Sequence, residues 1–131
     1  MRSKLPTLAR YLLGLVFFVF GLNFFFNFIK QPVMAGDAAA FIGALHGSGY
    51  VMTMVKVIEV GAGVMLLANR FVPLALGLLA PIVVNIVAFH ARFAHEGLPP
   101  ALVFLALELF LAWCYRRNFA LMLVANAKPN L

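Results

Sequence analysis

The sequence predicts an all-α integral membrane protein, a bundle of four transmembrane helices, and three observations carry that prediction. Hydrophobic residues make up 65% of the 131 and charged residues only 11%, whereas soluble domains run at about 25% charged. Four long apolar stretches follow one another with short polar breaks; at about 20 residues per crossing, the length accommodates four spans. The mean hydropathy of +1.03 averages over the whole chain, so the apolar character is not confined to one anchor. Residues 1–131 are read as a single transmembrane domain.

Arg2, Lys4 and Arg10 precede the first span, about residues 10–29; Tyr11 to Phe26 holds no charge, and Lys30, Gln31 and Pro32 stop it. A secretory signal peptide has the same basic start, but its apolar core is about 7–15 residues and soluble sequence follows. Here everything downstream is membrane-like. A short helix is expected over about 37–46, with Asp37 as N-cap and Gly47 as stop. Phe41, Ile42 and Leu45 share one of its faces, so it lies on the bilayer or folds over the bundle rather than crossing.

The second span covers about 50–68. Asn69, Arg70 and Pro73 make a tight connection to the third, about 71–89, which forces an antiparallel pair. His90, Arg92, His95, Glu96, Gly97, Pro99 and Pro100 form the next polar loop. The fourth span is about 101–116, closed by Arg116 and Arg117, with Phe119 to Val124 continuing it at the interface.

A net charge of +6 and a pI near 10.1 would suit nucleic acid in a soluble chain, but here the cations are topology signals. Arg2, Lys4, Arg10, Arg70, Arg116, Arg117 and Lys128 fall on the side of both termini, against Lys30 and Arg92 on the other. A multi-pass protein with cytoplasmic N- and C-termini is expected, its first partner the lipid bilayer, with no nucleic-acid partner.

Charges inside the spans are another matter, because each costs roughly 2.5–3.5 kcal/mol at the bilayer centre and marks a functional site by default. Lys56, Glu59 and Glu108 are such residues. At 1.5 Å per residue from the cytoplasmic ends they lie roughly 12–20 Å deep, with Asn23 and Asn85 at about 20 Å, so the five are expected to meet in one polar layer. They are the candidate ligand- or proton-binding residues. Lys56 and Glu59, at i and i+3, can pair directly. Gly14, Gly21, Gly61 and Gly63 are the candidate helix-packing positions. Pro73, Gly77, Pro81 and Asn85 recur every four residues, and Pro81 frees the Gly77 carbonyl as an acceptor. One lysine against two glutamates leaves a formal −1 among the spans. Protonation, a water-filled cavity, a bound cation or a polar ligand are the open ways of neutralising it; a plain helix-pairing salt bridge is the structural alternative.

Other constellations carry less. Cys114 is the single cysteine, so no CxxC centre exists within the chain, and a packed thiol is the expected role. His46, His90 and His95 all fall on the outer side, which disfavours haem, and the spacing of His90, His95 and Glu96 matches no usual zinc pattern. No metal site is expected. Fourteen Phe residues are mostly packing or lipid-facing, a subset being able to sandwich an isoprenoid or quinone ring. Phosphate-binding loops, HExxH and GxSxG are absent, and no catalytic residue stands out.

Arg10-x3-Gly14-x2-Phe17-x3-Gly21 in span one, Ala40-Phe41-x3-Leu45-x-Gly47 in the linker, and Glu59-x-Gly61-x-Gly63-x2-Leu66-Leu67 running into Asn69-Arg70 form a pattern. It resembles the DoxX and DoxX-like family of small four-helix membrane proteins, over about residues 8–115. The resemblance implies a bacterial inner-membrane protein linked to redox or sulfur metabolism, with Glu59, Gly61 and Gly63 on the family motif. The function expected is an accessory or subunit-like protein of a redox system. It would bind a quinone-like lipid or dock a redox protein partner through the polar layer. A small proton-coupled carrier, working as a homo-oligomer, and a ligand-free biogenesis scaffold are the alternatives.

Overall fold

The computed structural model describes residues 4–31 and 33–130, all helix, turn and coil. Arg2 of the charge count and Pro32 of the first stop lie outside the described residues. Four helices are long and apolar enough to cross a membrane, as the composition requires.

Helix α1 spans Leu5–Phe26, with Pro6 in its first turn, where the missing N–H is no loss. It ends earlier than residue 29. Asn27 turns left-handed (φ 52°), its N–H bonding the Asn23 carbonyl at 2.8 Å, and Asn is among the few residues that take this conformation readily. Helix α2 spans Gly36–Gly47 and lies against α3 and α4. Its N-cap is Ala35, so Asp37 does not cap it as expected; the carboxylate sits in the first turn instead, where the helix dipole favours it. The stop at Gly47 is found, followed by Gly49 at φ 84°. Ser48 Oγ accepts from the Val51 N–H at 3.1 Å and so satisfies a donor at the start of α3, Val51–Ala68.

Asn69 and Phe71, both left-handed, turn the chain into α4, Val72–Phe93. This helix runs a turn past the expected residue 89 and carries His90 and Arg92 within it, because no Pro or Gly lies between residue 89 and Ala94. A 3₁₀ turn at His95–Gly97 leads into α5, Leu98–Cys114. The fourth span therefore begins before residue 101, Pro99 being tolerated in a first turn, and ends before 116. Tyr115 breaks it, so the interfacial continuation is a separate helix, α6 (Arg116–Ala120), and a turn at Leu121–Leu123.

The four spanning helices form a ring in which α1 packs on α3, α3 on α4, α4 on α5 and α5 on α1. Short connections from α3 to α4 and from α4 to α5, with the longer α2-bearing link from α1 to α3, give an up-down-up-down bundle. Its centre is filled by Leu13, Phe17, Leu66, Leu76, Leu79, Val83 and Leu111. The outward surface carries Leu12, Leu15, Phe20, Val57, Val84 and Leu109, as a lipid-facing surface should.

Contact between α1 and α3 is closest because glycines allow it. A Cβ at Gly63 would lie 2.7 Å from the Phe18 N and 2.9 Å from the Gly14 O; at Gly14 it would lie 2.9 Å from the Leu66 Cβ; at Gly21, 2.7 Å from the Val60 Cγ2. Three of the four expected packing glycines thus form one seam. Gly61 does not belong to it: nothing lies within 4 Å of where its Cβ would be, since a residue two places from Gly63 on a helix points elsewhere.

Candidate functional site

Four polar residues are buried among the described spans: Arg10, Asn23, Glu59 and Glu108. Arg10 is the one not anticipated. Counted from sequence as a flanking topology cation, it stands in the second turn of α1 only 6% exposed, and Nη1 donates to the Leu66 carbonyl in the last turn of α3. A cation at a helix C-terminus meets the negative end of the dipole. Arg10, Gly14, Phe17 and Gly21 share the buried stripe of α1, so the sequence motif that joins them is the face turned inward.

Burial of Arg10 corrects the interior charge count. Two cations, Arg10 and Lys56, stand with two carboxylates, Glu59 and Glu108, and the formal sum is zero rather than −1. At 1.5 Å per residue, Arg10 lies about 8 Å from the start of α1 and Glu108 about 9 Å from the end of α5, two neighbouring antiparallel helices. They occupy one depth, although Glu108 Oε1 has no hydrogen-bond partner among the described residues.

The single polar layer expected from sequence resolves into separate places. Asn23 serves the backbone: its Oδ1 accepts from the Ile29 N–H at 2.6 Å and its Nδ2 donates to the Ile29 carbonyl at 3.0 Å, clasping the chain just after α1. Glu108 stands one helical turn after Phe104, whose ring centroid lies 6.3 Å from that of Phe17 on α1, and is not among the residues of the groove that holds the others. Lys56, Glu59 and Asn85 do come together.

These three line a groove of about 340 Å³ between α2, α3 and α4. Lys56 Nζ lies 3.0 Å from Glu59 Oε2. That oxygen is buried, and the Lys56 ammonium is its charged partner. Gly21 backs the carboxylate, its missing Cβ leaving room 3.4 Å from the Glu59 Cβ. Asn85 donates from Nδ2 to the Pro81 carbonyl at 2.9 Å, and so uses the acceptor of Pro81 rather than that of Gly77. The remaining walls include Val55, Ile82, Ile86, Phe41 and Phe89.

Aromatic rings gather at the outer end. Phe41 of α2 stacks on Phe93 (5.4 Å, 26°) and leans on Phe89 (5.8 Å, 31°), while His46 stacks on Phe24 of α1 (5.5 Å, 29°). The face of α2 carrying Phe41, Ile42 and Leu45 therefore covers the bundle, one of its two expected placements. His90 stands at this mouth; its Nδ1 donates to the Ala94 carbonyl at 3.2 Å, since a carbonyl only accepts, and in the neutral ring Nε2 is then an acceptor. Gly97 packs on the His90 ring so closely that any Cβ would overlap it. His90 is helical rather than part of the expected polar loop, and Ile82, Ile86 and His90, repeating every four residues, are the one sequence signal that places it on the groove face.

A small, half-open and largely apolar groove with rings at its outer end and one ion pair in its lining can hold a polar head with an apolar tail. Comparison with known proteins is consistent in extent: a family model described as DoxX matches residues 5–92, which takes in every residue lining the groove and leaves out α5 with Glu108. No curated protein and no solved structure matches the chain.

Proposed function

The chain belongs to the DoxX family of membrane proteins, and from that premise we propose that it is an accessory, subunit-like protein of a redox system in the bacterial inner membrane. It holds the head of a quinone-like lipid in the α2–α3–α4 groove, and its outer face docks an oxidoreductase partner. The observation that carries this reading is the groove itself: about 340 Å³, apolar and aromatic along its walls, with the Lys56–Glu59 pair on its floor. The residues fit such a head. Lys56 has three N–H donors and engages Glu59 with one side of its ammonium group, leaving others for a carbonyl acceptor. Glu59 fixes that ammonium and itself accepts a hydrogen bond or a proton; Phe41 and Phe89 offer flat faces. A quinone-like lipid supplies the reversible electron and proton uptake, and these side chains orient it.

Cytoplasmic termini accord with the cations: six remain on that side with Arg10 removed to the interior, against Lys30 and Arg92.

Purification of the full chain from membranes, followed by extraction and quantification of co-purified quinone, tests the proposal. Glu59→Gln is expected to lower retained quinone about tenfold or more at unchanged expression, the loss of one charged hydrogen bond being worth roughly 1.5–3 kcal/mol. Equal retention by wild type and Glu59→Gln overturns it. Activity of the parent complex that survives replacement of both Lys56 and Glu59 by Met assigns the pair to a scaffold instead, and a pH-dependent solute flux in proteoliposomes assigns it to a carrier.

A further inference from the structure

At the end of the bundle where α1 begins and α5 finishes, apolar shape adjoins positive charge. A groove of about 280 Å³ runs between these two helices, lined by Leu5, Leu8, Ala9, Leu12, Leu107 and Phe110, all apolar. Cations adjoin it along the chain. Lys4 immediately precedes Leu5, and Arg116 follows Phe110 by six residues, roughly 9 Å at helical rise. Lys4, Arg116 and Arg117 are exposed. Nothing acidic opposes them: of the four acids, Asp37 and Glu96 lie at the other end of the spans, and Glu59 and Glu108 are buried.

Trp113 fixes the level of this end relative to a bilayer. It is 64% exposed, one residue before α5 stops, in the headgroup region that Trp favours. The Arg116 guanidinium lies 4.2 Å over its ring and donates from Nη1 to its carbonyl at 2.9 Å, which leaves the other donors of the fork free to face outward. Beyond it, Phe119 packs against the core while Leu121, Met122 and Leu123 are 77–80% exposed. A segment held against the bundle within a few residues of a span, with an apolar outer side and basic neighbours, lies in the membrane interface.

We propose that this end of the bundle binds an anionic phospholipid of the bilayer, with one acyl chain in the α1–α5 groove and the headgroup phosphate over Lys4, Arg116 and Arg117. Charge complementarity selects the headgroup, and the groove selects a lipid over a free anion.

The full chain in phosphatidylcholine nanodiscs with a minor fraction of phosphatidylglycerol tests this, using spin-labelled versions of each lipid and the immobilised component of their spectra. Wild type is expected to prefer phosphatidylglycerol by at least about fivefold, the value of one cation near a surface, and added salt is expected to reduce the preference. Replacing Lys4, Arg116 and Arg117 together by Gln brings the two lipids to parity. Leu8→Trp, which fills the groove from a half-exposed position, lowers the immobilised fraction of both. Parity in wild type, a preference that survives the triple replacement, or an immobilised fraction unmoved by Leu8→Trp overturns the proposal. Should the triple variant fail to fold, a wild-type preference indifferent to salt does so.

Discussion

Gly61 and Gly63 stand two residues apart in one helix, and adding a single methyl group to each is expected to have effects of opposite sign. At Gly63 the new Cβ meets backbone: the Phe18 N at 2.7 Å, the Gly14 O at 2.9 Å and the Phe18 Cα at 3.0 Å, where ordinary contact is about 3.5 Å. Backbone atoms of a neighbouring helix cannot swing aside as a long side chain does, so α1 and α3 have to separate by several tenths of an ångström along their whole seam. Overpacking of this kind costs about 1–3 kcal/mol. The same separation weakens the contacts at Gly14 and Gly21 and lengthens the Arg10 bond to Leu66, which places the effect toward the upper end of that range. At Gly61 nothing lies within 4 Å, and Gly→Ala in a helix gains roughly 0.5–1 kcal/mol from propensity alone. Reversible unfolding in mixed detergent micelles, followed by far-UV circular dichroism, measures both. Gly61→Ala as destabilising as Gly63→Ala refutes the seam, because the two then differ in sequence position but not in surroundings.

Two further outcomes follow from the buried polar residues. Arg10→Met is expected to cost about 2 kcal/mol, the worth of a hydrogen bond from a charged donor; Glu108→Gln in that background is expected to restore part of it, and a double-mutant cycle in the same unfolding assay that is strictly additive shows that the two charges do not balance one another. Asn23→Ala removes both bonds to Ile29, with an expected loss of about 1–2 kcal/mol and faster amide exchange confined to residues near 27–29 by hydrogen–deuterium measurement.

The number and order of the spans were legible because hydropathy is summed over some 20 residues and no single side chain decides it. Ends were less so. Whether α1 stops at Asn27 or at Lys30 depends on one asparagine adopting a left-handed backbone and another clasping Ile29, and either asparagine also fits an ordinary helical turn. The pairing of Lys56 with Glu59 was readable from their spacing, and the meeting of both with Asn85 from depth. Asn23 and Glu108 fall outside that layer because α1 begins at Leu5 and α5 ends at Cys114, which puts Asn23 about 27 Å and Glu108 about 9 Å from the same end of the bundle. Arg10 was misplaced for a related reason: an arginine within a few residues of a span's start serves equally as a flank or as an interior group. Its spacing of four from Gly14 distinguishes the two only once Gly14 is known to face α3.

With Arg10 counted inside, the two buried carboxylates stand in different surroundings. Glu108 lies at the depth of Arg10, away from the larger groove and outside the matched family region. Arg10, at that depth, donates from Nη1 to the Leu66 carbonyl, and Glu108 Oε1 is buried without a hydrogen-bond partner among the described residues. Glu59 has its own cation 3.0 Å away, one turn earlier on the same helix, and both members of that pair line the groove between α2, α3 and α4. The two carboxylates thus differ in position rather than in burial: a polar head entering the groove meets Lys56 and Glu59 and does not meet Glu108. The proposed binding role accordingly rests on Glu59, and Glu108→Gln is expected to leave retained quinone unchanged.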